Sequence, residues 1–152
     1  MKRDGKTIRL AAWLAAASIV FGAAENHAAD NPRDILIIVN LGASVGDVTI
    51  DQVRDIFLKK RTDWGSGLSA VPVHARKGSP LRRDFLEHVL KISQDQEDEY
   101  WAKMTIRFGF PGPPEFANTL KAVFRLRGAV SYVYRGEYKE GVAKVLFVVP
   151  VD

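Results

Sequence analysis

Arg76, Lys77, Gly78 and Ser79 stand together in the segment VPVHARKGSPLRRDF, residues 71–85, and of all the chain this stretch is best suited to chemistry. An apolar β-prone lead (Val71, Val73) runs through a basic, Gly-containing turn into Ser79-Pro80 and an amphipathic start, Leu81-Arg82-Arg83. Ser79 suits a helix N-cap, where its hydroxyl accepts from an orphan N–H of the first turn. Pro80 suits the first helical position, where its missing N–H costs nothing. Strand, turn and capped helix start, with cations on both sides, form a candidate anion cradle, because the unpaired N–H groups and the positive end of the helix dipole face the same spot. The plainer reading is a cap with solvated cations.

Other chemistries find less support. The three histidines, His27, His74 and His88, have no HxxxH or HExxH spacing, so no helical zinc pair is expected. Zero cysteines removes disulfides, thiolate metal sites and thiol nucleophiles together. Neither a GxSxG elbow nor a Walker A loop is present. No residue set nominates a cofactor, a metal or a catalytic group, and the chain reads as a binding protein rather than an enzyme. The acidic cluster Asp95, Glu97, Asp98, Glu99 follows a capping serine and reads as a solvated helix start. Lys59, Lys60 and Arg61 read as cations complementing a helix C-terminus.

The elements that must position the cradle follow from periodicity. Lys2, Arg3, Lys6 and Arg9 precede the apolar run Leu10 to Ala24, the pattern of a secretory signal peptide. Cleavage after Ala24 or as late as Ala29 both fit; a retained anchor helix is the other reading, though the run is short for a span of about 20 residues. The chain carries 22 Lys and Arg against 18 Asp and Glu. The leader holds four of those cations and only Asp4 among the acids, so the remainder is nearly neutral and offers no nucleic-acid surface.

Residues 30–152 are expected to form one domain. Asp34 to Asn40 is a continuous aliphatic run, the mark of a strand buried on both faces. Thr49 with Gln52 and Ser93 with Gln96 spell capping boxes opening the first and third helices. The second strand is expected near Ala70–Ala75, and Tyr100, Trp101, Met104 and Phe108 as the buried stripe of the third helix. Further expectations are a fourth helix from Glu115 to Leu126 ended by Gly128, and a closing hairpin of strands 129–134 and 142–149. The order βα, βα, α, α, ββ predicts an α/β fold with a mostly parallel sheet flanked by helices. In such a sheet ligands sit outside the carboxyl ends of strands. Two loops would leave such ends, His74 to Ser79 and Asn40 to Val48, and the second contributes Ser44 as a candidate ligand residue.

The segments 37–64 (IIVNLGASVGDVTIDQVRDIFLKKRTDW) and 71–85, the pair Tyr100-Trp101, and 127–133 (RGAVSYV) resemble, in order and spacing, the PstS-like phosphate-binding proteins of ABC transporters. The resemblance implies one lobe of a type II periplasmic binding protein. In that family a Ser-Gly-Thr loop at a helix start binds the tetrahedral oxyanion with hydroxyls and N–H groups, helped by an arginine. Carried over, this nominates Ser79, with Arg76, Gly78 and the backbone of Leu81. The chain departs from the pattern at Pro80, which removes one donor, and at Leu81, which replaces a hydroxyl, while the arginine sits one place off. The family clamps its anion between two lobes, and this chain has length for one. Weak binding of phosphate or a similar oxyanion is therefore expected, unless a second copy or another periplasmic protein completes the cleft; a ligand-free interaction module is the alternative.

Overall fold

The computed structural model describes residues 30–152, so the expected leader lies outside the described residues. The aliphatic run forms β1 (Ile35–Asn40) at the middle of the main sheet. Its side chains alternate between two cores. Ile35, Ile37 and Val39 enter the larger one, Leu36 and Ile38 the smaller, as the two-residue period of a strand requires. On one face pack α1 (Ile50–Phe57) and α2 (Pro80–Phe85), which continues as a π-helical turn, Leu86–Leu90. On the other packs α4 (Thr119–Arg125), through Ala122 and Val123.

The sheet is mixed, not mostly parallel. β5 (Ala129–Tyr134) and β6 (Ala143–Val149) flank β1, each antiparallel to it, and β2 (Val71–Pro72) joins β5 in parallel, giving the order β2-β5-β1-β6. The expected β5–β6 hairpin is absent, because β1 lies between its arms. A continuous apolar run reports burial on both faces but is silent about strand direction. Placing the most apolar strand centrally pairs both its edges as well as covering both its faces.

The strand expected at 70–75 is two short ones. Val73 N–H still bonds the Val130 carbonyl of the main sheet, whereas His74 N–H bonds Pro114. The chain thus leaves the main sheet and forms a separate parallel pair, β3 (His74–Ala75) with β4 (Glu115–Phe116). Pro72 is tolerated because β2 is an edge strand. The fourth helix starts four residues later than expected, because Glu115 and Phe116 are taken by β4. Asn118 then supplies the cap, accepting from Lys121 N–H at 2.9 Å. Gly128 is not the helix terminator. It is required because a Cβ there would lie 2.1 Å from the Ser69 carbonyl oxygen, at the point where Trp64 Nε1–H also reaches the Gly128 carbonyl.

Both capping boxes form as read. The expected buried stripe of α3 (Gln94–Phe108) does not. Tyr100, Trp101 and Met104 are half-buried, Phe108 is exposed, and the one buried residue of that helix is Glu97.

Candidate functional site

The turn from Arg76 to Ser79 connects β3 to α2. Gly78 adopts φ +77°, a left-handed conformation that disfavours any side chain. It allows the Ser79 N–H to bond back to the Arg76 carbonyl at 3.1 Å. Ser79 caps α2 as expected: its Oγ accepts from Arg82 N–H at 3.2 Å and its carbonyl from Arg83 N–H. Pro80 has no N–H, so Leu81 N–H is the one first-turn donor left without a helical partner. The hydroxyl proton of Ser79 also stays free to donate, since only its oxygen is used by the cap. Arg76 is exposed, and half-buried Leu81 lines a groove of about 580 Å³ that continues past Leu120 and Phe124.

Four of the nominated residues, Arg76, Gly78, Ser79 and Leu81, are therefore neighbours in space. Ser44 is not among them. β1 runs antiparallel to β5 and hence to β2, with Val39 beside Val130 and Val71 beside Ala129. The loop after β1 therefore leaves the end of the sheet at which β2 begins, opposite to the turn that follows β3. Ser44 there accepts a bond from Ser66 through its carbonyl. The convergence of two loops depended on parallel strands and fails with them.

Two carboxylates already occupy the cradle's surroundings. Lys77 N–H donates to Glu115 Oε2 at 3.1 Å, and Lys77 Nζ pairs with Asp98 at 2.6 Å, holding that carboxyl below its ordinary range. Beneath the turn, Arg82 is buried and meets Glu97 side-on through Nε and Nη2, at 3.2 and 2.8 Å. Arg82 Nη1 also donates to the Ala75 carbonyl, so the pair ties α2 and α3 to β3. Gln94 adds a bond to Glu97 at 3.1 Å. The expectation of a solvated acidic cluster is corrected at Glu97, which is 1 % exposed.

His74 completes this buried group. Its Nδ1 lies 2.9 Å from the Tyr132 hydroxyl, which accepts from Ala75 N–H. The Glu97 carboxylate on the far side of the ring favours the imidazole hydrogen on Nε2, which leaves Nδ1 to accept the phenol proton. Nε2 is 3.5 Å from Glu97 Oε1, too far for a good bond, and has no closer partner. Burial, with the Arg82 charge second, holds His74 well below its usual pKa and keeps it neutral. Phe57 and Phe85 enclose the ring, and Phe85 stacks on Tyr132 at 3.7 Å. Among the described residues no group of three or more His, Asp or Glu side chains could hold a metal.

Arg82, Glu97 and Glu115 were not among the nominated residues. Arg82 stands three, four and seven residues before the core residues Phe85, Leu86 and Val89, and Glu97 at the same spacings before Tyr100, Trp101 and Met104. Opposite charges in register with two apolar stripes were the available signal.

The sequence matches no family model and no curated protein. In fold it resembles an ABC-type phosphate transport receptor from Vibrio cholerae, at 17% identity and TM-score 0.57, covering 74% of this chain and 45% of that one. It also resembles a phosphate ABC transporter substrate-binding protein from Clostridium perfringens, solved with bound phosphate, at 20% identity and TM-score 0.56, covering 74% of this chain and 44% of the other. Both are binding proteins, and the chain spans less than half the length of either, the extent of one lobe. Among the described residues no helix is long and apolar enough to cross a membrane.

Proposed function

We propose that this chain is an exported, non-enzymatic solute-binding lobe that takes phosphate or a similar oxyanion weakly at the turn formed by Arg76, Gly78, Ser79 and Leu81. The leader, cut between Ala24 and Ala29, would deliver residues 30–152 to the periplasm as one domain. The observation that carries the reading is the open turn itself, with a free hydroxyl proton, an unpaired Leu81 N–H and an exposed arginine on a fold shared with phosphate receptors. A single lobe leaves one side of the anion in water, where charge–charge attraction is several-fold weaker than in a closed cleft. A second copy or another periplasmic protein would supply the missing wall.

Binding to the folded state alone must raise the melting midpoint. Millimolar phosphate is expected to raise it more than sulfate or chloride does. Ser79→Ala should weaken phosphate binding by about 1–2 kcal/mol, the range of a hydrogen bond to a charged group. Glu115→Ala should act in the opposite direction, because the anion no longer competes with a carboxylate for Lys77 N–H. A midpoint indifferent to phosphate in all three proteins removes the anion from the proposal.

That result would favour a ligand-free interaction module. One observation supports this second reading: Arg82 and Lys77 N–H, which could face an anion, are satisfied by Glu97 and Glu115 of the same chain. Stoichiometric recovery of one partner protein from a periplasmic extract, together with an indifferent midpoint, distinguishes the two.

A further inference from the structure

The C-terminal end of α3 carries an aromatic tip that the anion reading does not use. Phe108 and Phe110 are 57% and 42% exposed and stack on one another with centroids 6.0 Å apart. Large apolar side chains exposed as a cluster mark contact surfaces, whereas scattered ones do not. A cation accompanies each ring. Arg107 lies 5.7 Å from the Phe108 centroid and Lys59 Nζ 5.5 Å from that of Phe110. Lys59 holds its place after α1 at φ 58°, a left-handed conformation more usual for glycine or asparagine. Next to the tip, a cleft of about 280 Å³ opens between the end of α1 and the Pro-rich loop, lined by Lys59, Arg61, Thr62 and Pro111. The loop runs close over Trp101, since a Cβ added at Gly112 would lie 3.3 Å from the indole ring. Among the described residues none of Lys59, Lys60, Arg61 and Arg107 has an ion-pair partner, whereas Lys77 and Lys103 do.

We propose that this tip docks on an anionic phospholipid surface, with Phe108 and Phe110 entering the headgroup–acyl boundary and the Lys59–Arg61 cleft receiving a lipid phosphate. The charge is complementary to such a surface, and an unpaired cation near it attracts acidic lipid within a Debye length. Phenylalanines supply the apolar term, while lysine and arginine bury their stems and keep their charges at the headgroups. Lys59, Lys60 and Arg61 then serve beyond their position at the helix end.

The chain has no cysteine, so Pro111→Cys gives the full-length protein a single thiol beside the tip for an environment-sensitive fluorophore. On phosphatidylcholine vesicles doped with phosphatidylglycerol, its emission should shift to the blue, and high salt should reverse the shift. Undoped vesicles should leave it unchanged. Lys59→Glu with Arg107→Glu should weaken the vesicle titration by about tenfold or more, and Phe108→Ser with Phe110→Ser should abolish the shift. The same label at Glu140→Cys, in the turn before β6, should not respond, which separates docking of the tip from attachment through the leader. No shift at position 111 on doped vesicles would overturn the proposal and direct the tip to a protein partner; so would equal shifts at 111 and 140.

Discussion

Glu97→Ala is expected to destabilise the protein by about 3–5 kcal/mol, the usual cost of removing one member of a buried ion pair. The carboxylate accepts from Nε and Nη2 of Arg82, at 3.2 and 2.8 Å, and from Gln94, in a position closed to water. Without it the Arg82 guanidinium, 4 % exposed, keeps only the Ala75 carbonyl as partner. A buried cation with one neutral acceptor loses far more than the net worth of the pair that was removed. The double variant Arg82→Met with Glu97→Leu should therefore cost much less than either single truncation, since it removes both charges and retains volume. Urea denaturation of the three variants checks this. If Glu97→Ala costs under about 1 kcal/mol, water reaches the pair and the network is not what joins α2 and α3 to β3. Loss of the pair should also loosen the turn from Arg76 to Ser79, because Arg82 anchors the strand from which that turn departs.

The local grammar of the chain was readable, and the parts that failed are those decided by tertiary pairing. Thr49 with Gln52, Ser93 with Gln96 and Ser79 with Pro80 act over three residues or fewer, and all three helix starts form as expected. Strand direction is not local. Nothing within Asp34 to Asn40 distinguishes a parallel neighbour from an antiparallel one, so Ser44 was placed at the wrong end of the sheet. Trp101, Met104 and Phe108 keep helical spacing and share a face with Glu97, but spacing cannot tell how far along an amphipathic helix the core extends: burial is complete at Glu97, partial at Trp101 and Met104 and lost at Phe108. On α3 the core-facing position belongs to Glu97, because Arg82 arrives from α2 to neutralise it. The residues of the candidate turn were legible because a serine cap, a glycine and a proline each have a strong positional meaning. Its internal competitor, Glu115, lies 38 residues from Lys77, and only the pairing of β3 with β4 brings it there.

Acid should destabilise the protein through His74 before it does so through Asp84, Asp98 or Glu99. Every group facing this imidazole favours its neutral form or is already committed: Phe57 and Phe85 exclude water, Tyr132 donates to Nδ1, and Arg82 both repels an imidazolium and neutralises Glu97. The folded pKa is held well below the ordinary value of 6.5 by burial first and Arg82 second. Below pH 6.5 the unfolded chain then binds a proton that the native one refuses, so stability falls as pH falls, until the folded pKa is reached. The slope is at most about 1.4 kcal/mol per pH unit, or about 2 kcal/mol between pH 6.5 and 5. The carboxylates Asp84, Asp98 and Glu99, whose pKa values are lowered in the fold, lose their contributions only as pH passes below their ordinary values of 3.8 to 4.5. The interval above pH 5 therefore isolates the histidine. His74→Gln should flatten the stability profile there while keeping a polar partner for Tyr132. Equal slopes for variant and wild type would mean that His74 accepts its proton in the fold, and that Glu97 rather than Arg82 dominates the field it feels.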